Sequence, residues 1–305
     1  ASLQMKEAGP HETEAYVLIE PGTSVRGIAV ELRNQGVIST QAYYLFPYIP
    51  RLRGEDTSLK AGEYLITEGM SANQIMTAMI DGKTVQRQIT IPEGLTSLEV
   101  VNLVNNLDAL KGPMIEDIPP EGSLLPESFA YSRYNTRQEI LDRMSQDMTA
   151  LLDEQWESRS LDLPFETKAE ALTLASIIEK ETGVAAEREK VAGVFVNRLR
   201  IGMPLQTDPT VIYALTEGKS RLDRPLYRKD LRVEHPYNTY LNPGLPPGPI
   251  ANPGKASIIA ALHPAEHDYL YFVADGSGGH AFGKNLQEHN DNVRKWREYR
   301  KNRAP

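Results

Sequence analysis

The sequence predicts an α+β fold in which small strand–helix units precede a mainly helical region with a small sheet. Similar segments recur at Ile19, Ile66 and Ile91, and each combines an apolar run, a glycine turn and an apolar helical stripe. Helical periodicity dominates the rest of the chain. The run YLYFVAD from Tyr269 is typical of a buried strand, and it ends in the turn GSGG before a terminal helix that is predicted to begin near Leu286.

The repeated segments share one helix-start signal. Ser24, Ser71 and Thr96 each stand just before the apolar stripe, where a hydroxyl can accept a backbone hydrogen bond at a helix N-terminus. Such units are most often scaffold, although a small carbohydrate-binding module is an alternative that the spacing leaves open. A longer amphipathic helix is predicted from Thr136 to Glu157.

The composition excludes several protein classes. The chain has 305 residues, of which 40% are hydrophobic and 24% charged, as expected for a globular protein with more than one compact unit. Its net charge of -8 argues against broad nucleic-acid binding, which depends on clustered Lys and Arg. The absence of cysteine excludes disulfides, and no apolar run is long enough to predict a membrane span.

The segment TKAEALTLASIIEKETG predicts a helix with both ends marked. Thr167 and Glu170 fit a capping box at its start. Gly183 fits a left-handed residue that stops the helix. The predicted helix therefore has about four turns.

One carboxyl group falls on the apolar face of this helix. At about 100° per residue, Glu181 lies where the stripe calls for a leucine, whereas Glu179 points away. Burial and the helix C-terminus both disfavour the charged carboxylate, so both raise its pKa. A carboxylic acid that keeps its proton near neutral pH can act as a general acid and then as a base. The spacing leaves open a buried Glu paired with Arg188 or Arg198.

Polar residues follow a second predicted helix, which runs from Ala186 to Arg200 and ends at Gly202. In the segment MPLQTDPTVIYAL, Asp208 before Pro209 is typical of a helix N-cap, which is its favoured role, and Asp208 is also kept as a candidate substrate contact. Gln206 lies in the extended entry to that helix, where its amide could hydrogen-bond sugar hydroxyls.

The stretch PYNTYLNPGLPPGPIANPG from Pro236 is too stiff and too apolar for a flexible linker, and it predicts an ordered loop. Asn238 and Tyr240 supply amide and aromatic groups suited to a glycan. Asn252 is predicted to be mostly structural, as the N-cap of a helix that Pro253 begins.

Other chemistries lack their residues. No HExxH pair and no tight histidine cluster is present, so a zinc hydrolase has no ligands, and the GxSxG motif is absent. The turn GSGGHAFG is not followed by a compact βαβ unit, which argues against a dinucleotide site. The sequence therefore predicts neither a metal nor a cofactor.

Long segments of the chain match one known family. They are EGSLLPES from Glu121, LASIIEKET from Leu174, FVNRLRIGMPLQTDPTVIYAL from Phe195, YNTYLNPGLPPGPIANPG from Tyr237 and YLYFVADGSGGHAF from Tyr269. With these segments the chain resembles the YceG-like family of endolytic murein transglycosylases over nearly its whole length. The resemblance implies that Glu181, the second Glu of EKE, is the catalytic acid.

The resemblance also implies a domain order and a location. Residues 1–13 would be a tail that follows a membrane anchor, residues 14–86 a LysM-like subdomain, and residues 87–305 the YceG-like catalytic domain. Members of the family are single-pass proteins of the bacterial inner membrane, with the catalytic domain in the periplasm. The expected partners are peptidoglycan glycan strands and peptidoglycan synthases.

One segment departs from the family pattern. Where the family usually reads FPDTY, this chain reads LPESF from Leu125. Glu127 therefore replaces an Asp, and Phe129 lacks the tyrosine hydroxyl. Glu127 is kept as a candidate substrate contact, and the departure puts any sugar contact at this place in doubt.

The reaction that the resemblance implies cleaves the β-1,4 bond between N-acetylmuramic acid and N-acetylglucosamine inside a strand, without water, and leaves a 1,6-anhydro end. Glu181 would protonate the leaving oxygen and then deprotonate the 6-hydroxyl, while Gln206, Asn238 and Tyr240 orient the sugar. Two alternatives stay open. One is a muramidase that uses water with Asp208 as the second carboxylate, and the other is a non-enzymatic wall-binding scaffold.

Overall fold

The computed structural model describes residues 3–53 and 59–303, which divide into two compact units. The first unit contains Ala1–Ile89, Leu107–Pro113 and Phe129–Thr136, and the second contains Thr90–Asn106, Met114–Ser128 and Arg137–Pro305. Helices and small antiparallel sheets make up both units, which confirms the predicted α+β class.

The elements up to residue 90 are β1 (Ala15–Ile19), α1 (Val25–Asn34), α2 (Thr40–Leu45), α3 (Ile49–Arg53), β2 (Gly62–Ile66), α4 (Ala72–Asp81) and β3 (Arg87–Thr90). β1 pairs with β2 in antiparallel register, with Val17 opposite Tyr64, and both side chains are buried in the core of the first unit. The predicted caps are confirmed: Ser24 accepts from the Gly27 amide, and Ser71 forms a capping box with Gln74.

The elements after residue 90 are α5 (Ser97–Asn105), β4 (Ser128–Tyr131), α6 (Arg137–Glu157), α7 (Lys168–Glu181), α8 (Arg188–Arg200), α9 (Asp208–Thr216), α10 (Lys255–Leu262), β5 (Tyr271–Ala274), β6 (His280–Gly283) and α11 (Leu286–Arg303). Short 3-10 turns occur at Ala185–Glu187 and Asp230–Arg232. β4 pairs with β3, and β5 forms an antiparallel hairpin with β6 in which Phe272 lies opposite Phe282. Thr96 caps α5 through a capping box with Glu99, as predicted.

The core of the second unit forms where α7 packs against α8 and α10. Ile177 and Ile178 on α7, Phe195 on α8 and Ile258 on α10 are almost fully buried within it. Burial of these side chains supplies the main stabilisation of the unit, since each removes its apolar surface from water. The packing fixes the ends of α7 and α8, which carry the candidate site.

Two local predictions were wrong. Gly183 is not left-handed: α7 ends with an extended Thr182 at φ -136°, and the chain then turns into the 3-10 helix before α8. β5 is half-buried rather than buried, because its sheet has only one other strand and leaves part of each face in contact with solvent. The left-handed stop predicted at Gly202 is present after α8, with φ at +66°.

The first unit is built from three separate segments of the chain. Its main segment ends at Ile89, and the domain bounds 14–86 and 87–305 that the resemblance implies stay a prediction. The later segments 107–113 and 129–136 also belong to the first unit, which the sequence alone did not indicate. Its LysM-like identity stays a prediction. Across residues 3–53 and 59–303, no helix is both long and apolar enough to cross a membrane.

Candidate active site

The site is built around the C-terminal end of α7. The capping box between Thr167 and Glu170 fixes the start of this helix, as predicted from the sequence. Thirteen residues of regular helix then bring Glu181 to the last position. Its carboxyl group is only partly exposed and lines a cavity of about 400 Å³. The spacing argument therefore led to a carboxyl group that faces a cleft rather than a sealed core.

The environment of Glu181 favours its protonated form. Burial is the main cause, and the nearby carboxylate of Asp208 adds to it, so that the pKa of Glu181 rises to about 7. The guanidinium of Arg198 and the hydroxyl of Thr207 act in the opposite direction. Because burial outweighs both, the carboxyl group is about half protonated at neutral pH.

Arg198 was one of the ion-pair partners that the sequence left open for Glu181. It lines the same cavity and is only 8% exposed, but its guanidinium donates hydrogen bonds to backbone carbonyls. Nε donates to the carbonyl of Leu270 at 2.7 Å and Nη1 to that of Leu205 at 2.6 Å. No direct ion pair joins it to Glu181 within the described part of the chain. Arg198 therefore acts on Glu181 through its charge while it holds the cavity walls together.

Asp208 is not the helix N-cap that the sequence favoured. Thr207 occupies the N-cap position of α9, and Asp208 and Pro209 are its first two residues. The Asp208 carboxylate therefore does not cap the helix. It is exposed in the cavity and accepts a hydrogen bond from the phenol of Tyr240 at 2.7 Å. Placement at the first turn of a helix also suits a negative charge.

The backbone before α9 is held in an unusual conformation. Gln206 has φ at +51°, in the left-handed region, and its amide donates to the carbonyl of Thr239 at 3.1 Å. The hydroxyl of Thr239 accepts from the Thr207 amide and pairs with the hydroxyl of Thr210. These bonds offset the cost of the left-handed residue and leave the side chain of Gln206 exposed in the cavity.

Asn238 was predicted to contact substrate, but the structure places it outside the cavity. It is fully buried, and its Nδ2 donates to the carbonyls of Leu231 and Val233 at 3.1 and 2.8 Å. Its Oδ1 accepts the amide of Tyr240 at 3.0 Å. Every polar atom of the side chain is thus used to shape the loop, and Asn238 acts by placing Tyr240.

Glu127 does not join the cavity either. Its side chain is exposed, and its backbone carbonyl accepts the amide of Ile91. The pKa of the neighbouring Glu93 is raised mainly by burial and then by the charge of Glu179, and the charge of Glu127 adds to this effect. Phe129 is 2% exposed, so this side chain is a core residue in which a hydroxyl has no evident role. The structure gives no support for a sugar contact at these two residues beside Glu181.

Two other polar residues have structural roles. Glu179 points away from the cavity, as predicted, and its Oε2 accepts from the Gly254 amide and the Ser257 hydroxyl at the start of α10. Asn252 is structural, as predicted, but the N-cap of α10 is Gly254. The Asn252 amide instead accepts from the Leu124 amide and donates to the Leu95 carbonyl.

The structure therefore brings four of the predicted site residues together, namely Glu181, Gln206, Asp208 and Tyr240. It also adds Tyr271 and Phe272 from β5 and His289 from α11, which sequence reasoning did not single out. No local signal identified them, because strand and helix patterns do not show which distant element a side chain faces.

The comparisons with known proteins agree with one another. The family model described as YceG-like matches residues 17–295. A Bacillus subtilis protein named endolytic murein transglycosylase is 35% identical over 92% of this chain and 84% of its own length. A Streptococcus pneumoniae protein of the same name is 29% identical over 90% of this chain, which spans 56% of that longer protein.

A solved structure is also similar. The crystal structure of a yceG-like protein from Listeria monocytogenes superposes with a TM-score of 0.53 at 31% sequence identity. The match covers 92% of this chain and 99% of that one. Together with the family match over most of the sequence, these findings confirm the resemblance seen in the motifs: the chain belongs to the YceG-like family.

Proposed function

We propose that this chain is an endolytic lytic transglycosylase that cleaves the β-1,4 bond between N-acetylmuramic acid and N-acetylglucosamine inside peptidoglycan strands. The observation that carries the proposal is the placement of Glu181 at the end of α7, in an open cavity and with its pKa raised to about 7. Such a group can both donate and accept a proton at neutral pH. The names of the relatives from Bacillus subtilis and Streptococcus pneumoniae support the same reaction.

In the first step, the protonated Glu181 donates its proton to the glycosidic oxygen as the bond from this oxygen to the anomeric carbon breaks. Positive charge develops on the anomeric carbon and the ring oxygen of the muramic acid. The carboxylate of Asp208 lies in the same cavity and stabilises this charge. Tyr240 fixes the orientation of that carboxylate through its phenol.

In the second step, the 6-hydroxyl oxygen of the same muramic acid attacks the anomeric carbon. Glu181, now a carboxylate, takes the proton of this hydroxyl as the new carbon–oxygen bond forms, which closes the 1,6-anhydro ring. The acid is thereby restored and no water is consumed. One carboxyl group serves both steps, so the reaction needs no second carboxylate as nucleophile.

The experiment that tests this proposal follows oxygen from the solvent. Purified protein would digest glycan strands in water enriched in oxygen-18, and mass spectrometry would examine every new end. The proposal requires new muramic ends that are one water lighter than reducing ends and carry no label. A muramidase that uses Asp208 with water would instead place one labelled oxygen at each cut, and this result would overturn the transglycosylase assignment.

We further propose that the enzyme acts at the periplasmic face of the bacterial inner membrane, beside peptidoglycan synthases. This part rests on the resemblance to the family and is separate from the chemistry. Protease added to intact spheroplasts should digest the catalytic unit, and in-cell crosslinking should recover a synthase. Protection of the catalytic unit from the protease would contradict the location.

A further inference from the structure

His289 lies in the catalytic cavity with no role in the mechanism described above. It is the fourth residue of α11, and the first turn of this helix is fixed by Asn285, whose Oδ1 accepts the amide of Glu288 at 3.0 Å. The carboxylate of Glu288 in turn accepts the amide of Lys284 at 2.8 Å. Gly283 at the end of β6 allows the close approach, since a Cβ there would lie 3.1 Å from the His289 backbone nitrogen. The hydrogen-bonded first turn of α11 therefore fixes the position of the imidazole in the cavity.

The ring of His289 stacks on that of Tyr271, with centroids 5.1 Å apart and planes inclined by 26°. Neither ring nitrogen has a hydrogen-bond partner within the described residues. Nδ1 is buried without a hydrogen-bond partner, so Nε2 is the nitrogen left to bind a ligand in the cavity that His289 lines. An unpaired buried N–H group is rarer in proteins than an unpaired acceptor. The hydrogen of the neutral ring is therefore assigned to Nε2, where it can serve as a donor.

The surroundings of His289 keep it neutral. The charged and titratable groups around it are Glu181 on α7, Arg198 on α8, Asp208 on α9, Tyr240, Tyr271 on β5 and Glu288 on its own helix. Burial, followed by the positive charge of Arg198, lowers its pKa below the ordinary value of 6.5. The start of a helix also disfavours a positive side chain.

The cavity has few donors to offer a sugar. The carboxylate of Asp208 is an acceptor, the proton of Glu181 goes to the glycosidic oxygen, and the phenol of Tyr240 donates its hydrogen to Asp208. Arg198 uses Nε and Nη1 on backbone carbonyls. An acetamido group presents a carbonyl oxygen that needs a donor, and burial without one is costly. The donors that remain are the side-chain amide of Gln206, Nη2 of Arg198, the hydroxyl of Tyr271 and Nε2 of His289.

We propose that His289 is a further substrate-binding residue of this cavity, whose Nε2–H donates a hydrogen bond to the acetamido carbonyl of an N-acetylated sugar. This inference rests on the proposed function, because it assigns a contact to the same substrate. The interaction would make the cavity prefer N-acetylated β-1,4 glycans over β-1,4 glycans that lack the acetamido group. His289 binds and orients, and it transfers no proton.

The test measures binding and cleavage separately. Binding of the N-acetylglucosamine tetramer and of the glucose tetramer would be measured with Glu181→Gln protein, alone and combined with His289→Leu, His289→Gln or His289→Asn. Both tetramers are neutral and β-1,4-linked, and they differ in the acetamido group. Gln can place an amide N–H close to the position of Nε2, whereas Asn is too short to reach it. Thermal unfolding would establish that each variant folds.

The Glu181→Gln protein should bind the N-acetylglucosamine tetramer more tightly than the glucose tetramer. His289→Leu should reduce this ratio of affinities about tenfold. His289→Asn should reduce it similarly, while His289→Gln should keep most of it. In the protein that retains Glu181, His289→Leu should lower kcat/KM on glycan strands about tenfold without moving the pH at which activity declines. The Asn and Gln pair decides the question even if the Leu variant does not fold.

An unchanged preference in His289→Asn, or a loss in His289→Gln as large as in His289→Asn, would overturn the inference. The second result would mean that the ring is needed for packing on Tyr271 rather than for its donor. These outcomes are distinct from failure of the proposed function, which would appear as wild-type protein that does not cleave strands. Tetramer binding is read without cleavage, so it tests His289 in either case.

Discussion

The phenol of Tyr240 donates a 2.7 Å hydrogen bond to Oδ1 of Asp208, and this bond joins the proline-rich loop to the first turn of α9. Asn238 helps to position Tyr240 for this bond, because its Oδ1 accepts a hydrogen bond from the backbone amide of Tyr240. The charge of Asp208 in turn raises the pKa of Glu181. Two hydrogen bonds and one charge effect thus connect the buried side chain of Asn238 to the acid in the cavity.

Replacement of Tyr240 by Phe should weaken catalysis. The variant loses the hydrogen bond that orients Asp208, and such bonds to charged groups contribute about 1.5 kcal/mol or more. Since Asp208 is exposed to solvent, we expect the lower end of this range, which corresponds to a decrease in kcat/KM of about tenfold. Tyr44→Phe at a 64% exposed tyrosine is the matched control and should leave kcat/KM unchanged. Equal activity of Tyr240→Phe and wild type would remove this role.

The pH profile should report the state of Glu181. The first step needs the protonated acid, so kcat/KM should decline as pH rises through about 7, where Glu181 loses its proton. Asp208→Asn removes a negative charge that favours protonation, so the decline should move to lower pH. Measurement of kcat/KM from pH 5 to 9 tests both statements. A decline that moves to higher pH in Asp208→Asn would contradict the electrostatic assignment.

The same pKa shift predicts a cost to stability at high pH. The pKa of Glu181 is raised in the folded protein, from 4.5 to about 7, so its contribution is most favourable below 4.5 and is lost as pH rises through 7. Glu181→Gln removes this dependence. Wild-type protein should therefore lose stability relative to Glu181→Gln as pH rises from 4 to 8. Because the carboxyl group is partly exposed, we expect the difference in unfolding free energy to change by roughly 1–2 kcal/mol in favour of the variant. Urea unfolding at both pH values measures it, and an equal difference at the two would contradict the shift.

Asn238→Ala should act on stability rather than on substrate contact. The substitution leaves the carbonyls of Leu231 and Val233 and the amide of Tyr240 without their partner, which costs roughly 2–3 kcal/mol. Denaturant unfolding measures this loss, and exposed Asn102→Ala on α5 is the control. A folded Asn238→Ala protein of wild-type stability that shows only a raised KM would restore the direct sugar contact predicted from sequence.

Much of the local structure was predictable because its causes are local. The hydroxyl caps at Ser24, Ser71, Thr96 and Thr167 act within three residues, and all four are present. The apolar stripe of α7 placed Glu181 on the correct face for the same reason, since helical spacing alone decides which residues share a face.

The rest depends on contacts between distant segments. The favoured capping role of Asp208 failed because Thr207 takes the N-cap position and Tyr240, 32 residues away, engages the carboxylate. Asn238 has the composition of a sugar-binding residue, and only the fold shows that its amide faces the loop interior. His289 was not predicted as a site residue, because nothing in the sequence of the last helix shows that its first turn lines the cavity.

The most direct test of the central claim compares Glu181→Gln with Glu154→Gln, which removes a carboxylate from the exposed side of α6. The initial rate of cleavage of defined glycan strands at pH 6.5 would be measured beside the affinity for an N-acetylated tetramer and the unfolding midpoint. The account predicts that Glu181→Gln loses at least about a thousandfold in rate while it still folds and binds, because the amide can neither donate nor accept the proton. Glu154→Gln should match wild type. A folded Glu181→Gln protein that cleaves within a few-fold of the wild-type rate would contradict the assignment of Glu181 as the acid.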